Sequence, residues 1–258
     1  MWIDAHCHLN DEQFADDLAD VIARAQTAGV RAIITAGTDV ASSRASVALA
    51  ERFAIVYAVV GIHPQHADTW NAETHAAIRD LALQRKVVGI GEIGLDFYWA
   101  NNPPRAVQEK ILVAQLDLAA ELGKPVVIHN RNADDALMEI LQRRNDKLHG
   151  ILHCFAGDLA MAHQAIELGF HISFAGNVTF KNATSLQTIA AALPLNRMTL
   201  ETDAPYLSPV RGQRNEPMNV ARIGKKIAEL KQSDQSSIAN TTTQNSARLF
   251  GLEISEDF

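Results

Sequence analysis

Short β-like runs alternate with longer amphipathic stretches along the whole chain, and this alternation most constrains the fold. The strand-like runs fall near Trp2–Ala5, Ala32–Thr35, Val56–Val60, Val87–Gly91, Pro125–His129, Gly150–His153, His171–Phe174 and Met198–Glu201. Helical patterns lie between them, for example Gln13–Ala28, Arg105–Leu122 and Asp158–Leu168. Gly29 and Gly169 follow two of these patterns, where a glycine ends a helix in left-handed backbone. Pro103-Pro104 precedes the Arg105 helix, as proline at a first turn does. Eight β-then-α units predict a closed parallel barrel, the (β/α)8 TIM barrel, rather than an open sheet. Residues after Asn219 read as a closing C-terminal helical segment, and Glu253–Phe258 as a loose tail. No stretch reads as a linker, so the 258 residues are expected to form one domain, 1–258.

A chain of this length builds its core without disulfides. Cys7 and Cys154 show no framework spacing and read as small packed hydrophobes, which points to a reducing, cytoplasmic setting. Met1 leads straight into a strand pattern that Asp4 and His6 interrupt, so no signal peptide is expected. No apolar run approaches a membrane span, so no membrane association is expected, nor is an obligate protein partner. The formal net charge of −7 argues against a broad basic face that coats nucleic acid. It leaves room for an enzyme that meets a polyanion at a small site, because bound divalent ions add positive charge there.

Metal-ligand residue types recur at the C-terminal ends of the expected strands, the catalytic face of such a barrel. His6 and His8 stand two apart on the first strand, so simple alternation aims both into the barrel mouth, with Asp4 one layer deeper. Glu92 ends the fourth strand, His129 the fifth, His153 the sixth, and Glu201-Thr202-Asp203 the eighth. An isolated His-x-His pair would say little; its recurrence in phase with strand ends makes a metal site. The candidate ligands are His6, His8, Glu92, His129, His153 and Asp203. Six are too many for one catalytic ion that must keep an open position. They suit two divalent ions bridged by Glu92 and a water, a water such ions make acidic. His6 and His8 would hold the first ion with Glu92 and Asp203, and His129 and His153 the second. Asp203 is also placed to accept the proton of that water, so Glu92 and Asp203 are the candidate catalytic carboxylates. His75, His149, His163 and His171 read as ordinary surface or core histidines.

Seven ordered motifs carry a resemblance. They are Ile3-Asp4-Ala5-His6-Cys7-His8, Gly61-Ile62-His63-Pro64, Gly89 to Asp96, His129-Asn130-Arg131, His153 to Gly157, Leu200 to Tyr206, and Arg211 to Pro217. Together they resemble the TatD family of metal-dependent deoxyribonucleases, within the amidohydrolase-like metal hydrolases, from residue 3 to about residue 250. The resemblance implies the same barrel, a two-metal site and phosphodiester hydrolysis. It implies DNA as substrate, single-stranded or at its ends, with Mg²⁺ or Mn²⁺ in function and Zn²⁺ as a further candidate. It carries over the same six ligands, with Glu92 in the bridging place. One departure stands out: after His63-Pro64 many members have a histidine directly, whereas here Gln65 intervenes before His66. His66 takes that place only if the loop shifts.

A phosphodiester needs cations or donors around its non-bridging oxygens. His63, Arg131 and Asn215 are the candidate substrate-binding residues. Lys181, Arg211 and Arg214 lie near loop tips too, where Lys181 and Arg211 read as solvated surface charges. Phe97, Tyr98 and Trp99 follow the fourth strand and suit a cleft wall, by stacking bases or by packing the loop. The alternative function is hydrolysis of a small phosphoester, lactone, amide or acylated nucleoside, which the acidic charge favours and the ligands alone do not exclude. A binding or scaffold role is the third reading, against which the intact ligand set stands.

Overall fold

The computed structural model describes residues 1–144 and 146–253. Eight parallel strands run in the order β1 (Trp2–Cys7), β2 (Val30–Ala36), β3 (Val56–Val60), β4 (Val87–Asp96), β5 (Val126–Arg131), β6 (Gly150–Leu152), β7 (Phe170–Phe174) and β8 (Met198–Leu200). The helices between them are α1 (Leu18–Thr27), α2 (Val40–Arg52), α3 (Ala72–Ala82), α4 (Arg105–Leu122), α5 (Asp134–Gln142), α6 (Leu159–Glu167) and α7 (Thr184–Ala192). Two more, α8 (Val220–Lys231) and α9 (Gln235–Phe250), close the chain. This is the expected (β/α)8 barrel with its helical closing segment. The tail expected over Glu253–Phe258 lies outside the described residues from position 254 onward.

Most boundaries follow local chemistry. Helix α4 spans the residues its periodicity predicted, and Gly29 and Gly169 follow α1 and α6 at φ +85° and +98°. Asp158 caps α6 by accepting from Met161 N at 2.8 Å. Asp39 caps α2 by accepting from Ser42 N at 2.7 Å, and Ser42 Oγ accepts from Asp39 N at 2.9 Å. The helix expected over Gln13–Ala28 is broken: a 3-10 turn covers Glu12–Phe14 and α1 starts only at Leu18. Adjacent aspartates disfavour a helix interior, and Asp17 is drawn into ion pairs with Arg24 and Arg214.

The two faces of the strands divide the core. On β2, Ile33 joins the layer shared with helix residues such as Val21, Ile22 and Val47. Ala32, Ile34 and Ala36 instead join Ile3, Ala5, Val59, Val127 and Ile151 in a second cluster. Leu249 and Phe250 of α9, with Leu252, belong to that second cluster and stopper the barrel at the end where the strands begin. Asn245 of α9 anchors this helix by donating to the carbonyls of Leu195 and Met198.

Two strands do not keep strict alternation, and both irregularities shape the site. On β1, Ile3 and Ala5 face inward while Cys7 joins the helix layer, and the register shifts between Asp4 and Cys7. The expectation that Asp4 lies beneath His6 on one uninterrupted face is therefore corrected. The irregularity turns Asp4 toward the end of β8, where it accepts from Thr202 N at 2.8 Å and Thr202 Oγ1 at 2.6 Å. Asp203 N donates to His6 O, and His8 N to Ala204 O. These bonds join the first strand to the end of the last. The second irregularity is on β4, between Ile90 and Ile93. Its glycines let β4 run five residues beyond its expected end. A Cβ on Gly91 would stand 2.6 Å from Val127 Cβ, and one on Gly94, at φ +148°, only 1.9 Å from His129 O.

Gly94→Ala should therefore cost about 3 kcal/mol or more, through backbone strain and collision with β5. Urea denaturation measures this, and an unchanged midpoint would contradict the close approach of β4 to β5.

Candidate metal centre

The strand ends bring His6, His8, Glu92, His129, His153 and Asp203 to the mouth of the barrel. His6 is fully buried, and Glu92 and His153 nearly so. Their donor atoms form two groups. In the first, His6 Nε2 and His8 Nε2 are 3.2 Å apart. Each lies 3.5 Å from Glu92 Oε2, and 3.6 and 3.5 Å respectively from Asp203 Oδ1. In the second, Glu92 Oε1 lies 2.9 Å from His129 Nδ1 and 3.0 Å from His153 Nε2. His63 Nε2 stands 3.5 Å from that same oxygen. Glu92 thus divides its two oxygens between the groups.

The spacing fits divalent ions. Donors held at about 2.1 Å around one tetrahedral ion stand about 3.4 Å from each other. The first group spans 3.2 to 3.6 Å. Imidazole and carboxylate together suit zinc, manganese and similar ions of borderline character.

The groups perturb one another. Burial works against charging Glu92, but the imidazoles of His153 and His63 outweigh it and hold its carboxyl well below the usual range. Burial likewise opposes protonation of His153, yet Glu92 and Glu201 pull its pKa well above the ordinary histidine value. For His63 burial prevails, helped by His129, and its pKa falls to about 4. The lowered pKa favours the neutral ring, which suits His63 to the donor role expected of it rather than to that of a cation. Its Nδ1 accepts from Gln65 N at 3.2 Å, which leaves Nε2 to face Glu92.

Two buried carboxylates stand behind the histidines, and the sequence reading gave neither a role. Glu201 Oε1 lies 3.1 Å from His153 Nδ1 and accepts from Cys154 N, while its Oε2 accepts from Ser173 Oγ at 2.5 Å. Asp96 Oδ2 lies 3.4 Å from His129 Nε2. A carboxylate behind a ligating imidazole fixes its orientation and strengthens it as a donor. Both carboxylates stood within quoted motifs, and the available signal was a second acid beside each strand-end ligand.

Around the donors lies a cavity of about 880 Å³, lined among others by Gln65, His66, Trp99, Arg131, Asn177 and Tyr206. Gln65 and His66 both reach it from one 3-10 turn, Pro64–Thr69. Cys154 lines the cavity too, whereas Cys7 packs away and its thiol donates to Ile34 O. Asn215 does not reach the cavity. It is fully buried, donates to the carbonyls of Thr202 and Tyr206, and accepts from Glu216 N and Asn219 Nδ2. The expected substrate contact at Asn215 is thereby corrected: every polar atom of its amide is engaged within the protein. Asn215 instead braces the loop in which Asp203 adopts left-handed backbone at φ +56°. Arg214 is paired with Asp17 and Glu216, and Lys181 and Arg211 are exposed outside the cavity wall.

A parallel (β/α)8 barrel that gathers imidazole and carboxylate donors at its strand ends has the architecture of a metal-dependent enzyme. The family model for TatD-related DNases matches residues 3–251. The chain belongs to that family. It is similar to the metal-dependent hydrolase YabD of Bacillus subtilis strain 168, with 39% identity covering 98% of this chain and 100% of that protein. It is 36% identical to the 3′-5′ ssDNA/RNA exonuclease TatD of Escherichia coli K12, covering 96% of this chain and 98% of that protein. The crystal structure of the E. coli K12 TatD homolog YjjV superposes with a TM-score of 0.92 at 32% identity, covering 98% of both chains.

Glu201→Gln should weaken metal affinity about 10- to 100-fold, because His153 loses the negative charge behind it. Calorimetric titration with Mn²⁺ measures this; unaltered affinity would mean that Glu201 serves packing alone.

Proposed function

We propose that this enzyme hydrolyses phosphodiester bonds of DNA, at ends or in single strands, with two divalent ions held by His6, His8, Glu92, His129, His153 and Asp203. The observation that carries the reading is the division of the Glu92 oxygens between two donor groups. The name of the E. coli relative, a 3′-5′ ssDNA/RNA exonuclease, supports the substrate class. Mg²⁺ or Mn²⁺ are the ions proposed in function, with Zn²⁺ able to fill the same donors. The site belongs to one domain, 1–258, acting in the cytoplasm, where its two free cysteines stay reduced.

Bound ions supply positive charge against the phosphate and lower the pKa of the attacking water. The protein's own residues do the rest. Asp203 keeps Oδ1 toward His6 and His8 and uses its other oxygen to accept the water's proton. Glu92, held ionised, fixes the separation of the two donor groups. Glu201 and Asp96 hold the rings of His153 and His129. Arg131, on the cavity wall, contacts a phosphate oxygen of the strand.

The purified protein should degrade single-stranded oligonucleotides with added Mg²⁺ or Mn²⁺ and lose this activity in a chelator. His129→Ala and Asp203→Asn should each lower kcat/KM by about a hundredfold or more. Full metal loading with no cleavage of any oligonucleotide would sink the nuclease reading. Activity would then be sought on small esters, for which the net charge of −7 speaks. Arg131→Ala should weaken oligonucleotide binding and lower the slope of log K against log salt by about 0.7, the value for one lost phosphate contact to a single strand. Fluorescence titration over a salt series checks this, and an unchanged slope removes Arg131 from the strand's path.

A further inference from the structure

Three residues at one edge of the mouth are not among the metal donors. Trp99 lines the cavity yet leaves 47% of its surface exposed. Tyr98 is 50% exposed and meets Trp99 edge to face, with ring centroids 4.8 Å apart. Arg131 lays its guanidinium over both rings, 4.1 Å from the Tyr98 centroid and 5.3 Å from that of Trp99. Arg131 forms no ion pair among the described residues and is the one lysine or arginine on the cavity wall. Burial does not explain two adjacent aromatic side chains left this exposed at a catalytic mouth.

The backbone beneath them is firmly held. Phe97 N donates to Arg131 O at 2.9 Å, which ties the end of β4 to the end of β5. Asp96 Oδ1 accepts from Tyr98 N at 3.0 Å, and its Oδ2 faces His129 Nε2. Gln108 grips Asp96 from behind: Asp96 N donates to its Oε1, and its Nε2 donates to Asp96 O. One buried carboxylate therefore connects the aromatic pair to a candidate metal ligand.

We infer that Trp99, Tyr98 and Arg131 form a subsite for an unpaired nucleobase and its phosphate, next to the bond that is cut. The inference rests on the nuclease reading and adds to it how the strand is selected. The indole stacks the base, a contact open to any base because each has a π-face. The guanidinium, steadied on the rings, meets the adjoining phosphate. A base inside a duplex is paired and stacked on both sides, so it must be pulled out before it reaches Trp99. The subsite thus favours single strands without reading their sequence.

The test compares wild type, Trp99→Ala and Trp99→Phe on a single-stranded oligonucleotide and on bis(p-nitrophenyl) phosphate, a diester with no base, in Mn²⁺. Trp99→Ala should lower kcat/KM on the oligonucleotide, chiefly through KM, and this loss should exceed the loss on the small diester by about tenfold or more. Trp99→Phe should recover most of it, since a smaller ring still stacks. Equal losses on the two substrates would mark a merely structural tryptophan and overturn the subsite, as would no loss on the oligonucleotide. A wild-type protein that hydrolyses the small diester but no oligonucleotide overturns the nuclease reading, and the subsite with it.

Discussion

A carboxylate buried among imidazoles is the constraint on which this structure turns. Glu92 reaches the barrel axis from the extended end of β4 and meets His6, His8, His129, His153 and His63 there. Isolated charges in such a place are unfavourable by many kcal/mol, so the cluster exists only because each member compensates another. The arrangement imposes demands outward. Glycines must let β4 lie close to β5, and Asp96 and Glu201 must steady the rings. The loop after β8 must hold Asp203 in left-handed backbone. Asn215 meets the last demand with an amide whose bonding capacity is fully used inside the loop.

Much of this is legible in the sequence alone. Strand runs such as Val126-Val127-Ile128 and the helix over Arg105–Leu122 declare themselves by periodicity, a local property. The six donors declare themselves by recurring one strand end after another. What stayed hidden depends on contacts distant in sequence. The register shifts on β1 and β4 arise from how each strand meets its neighbour, and the one on β1 overturns the simple alternation that placed Asp4 beneath His6. The bonds of Asp4 to Thr202 cross nearly the whole chain. Asn215 misled for a related reason: a polar residue inside a motif suits substrate contact and loop bracing equally well, and only its burial separates the two.

His63 shows how environment alters a residue's role without altering its place. As a strand-end histidine it suits a phosphate contact, and it does line the cavity. Burial and the neighbouring His129 push its pKa down to about 4, which disfavours a positive charge on this ring, while Arg131 is the one lysine or arginine on the cavity wall. An acidic chain can in this way handle a polyanion without a basic surface, by confining positive charge to one cavity.

The stopper that α9 sets in the barrel has a consequence for the order of assembly. Ile3 and Ala5 leave the ribosome long before Leu249, Phe250 and Leu252, which join them in the inner core. His6 and Asp203 are separated in the same way. Neither the inner core nor the metal-binding ring can be completed on a partly made chain. Contacts of such sequence separation make folding slow, and the inner face of β1 stays uncovered until α9 has been made. The metal-binding ring therefore forms only after all eight strands have been made.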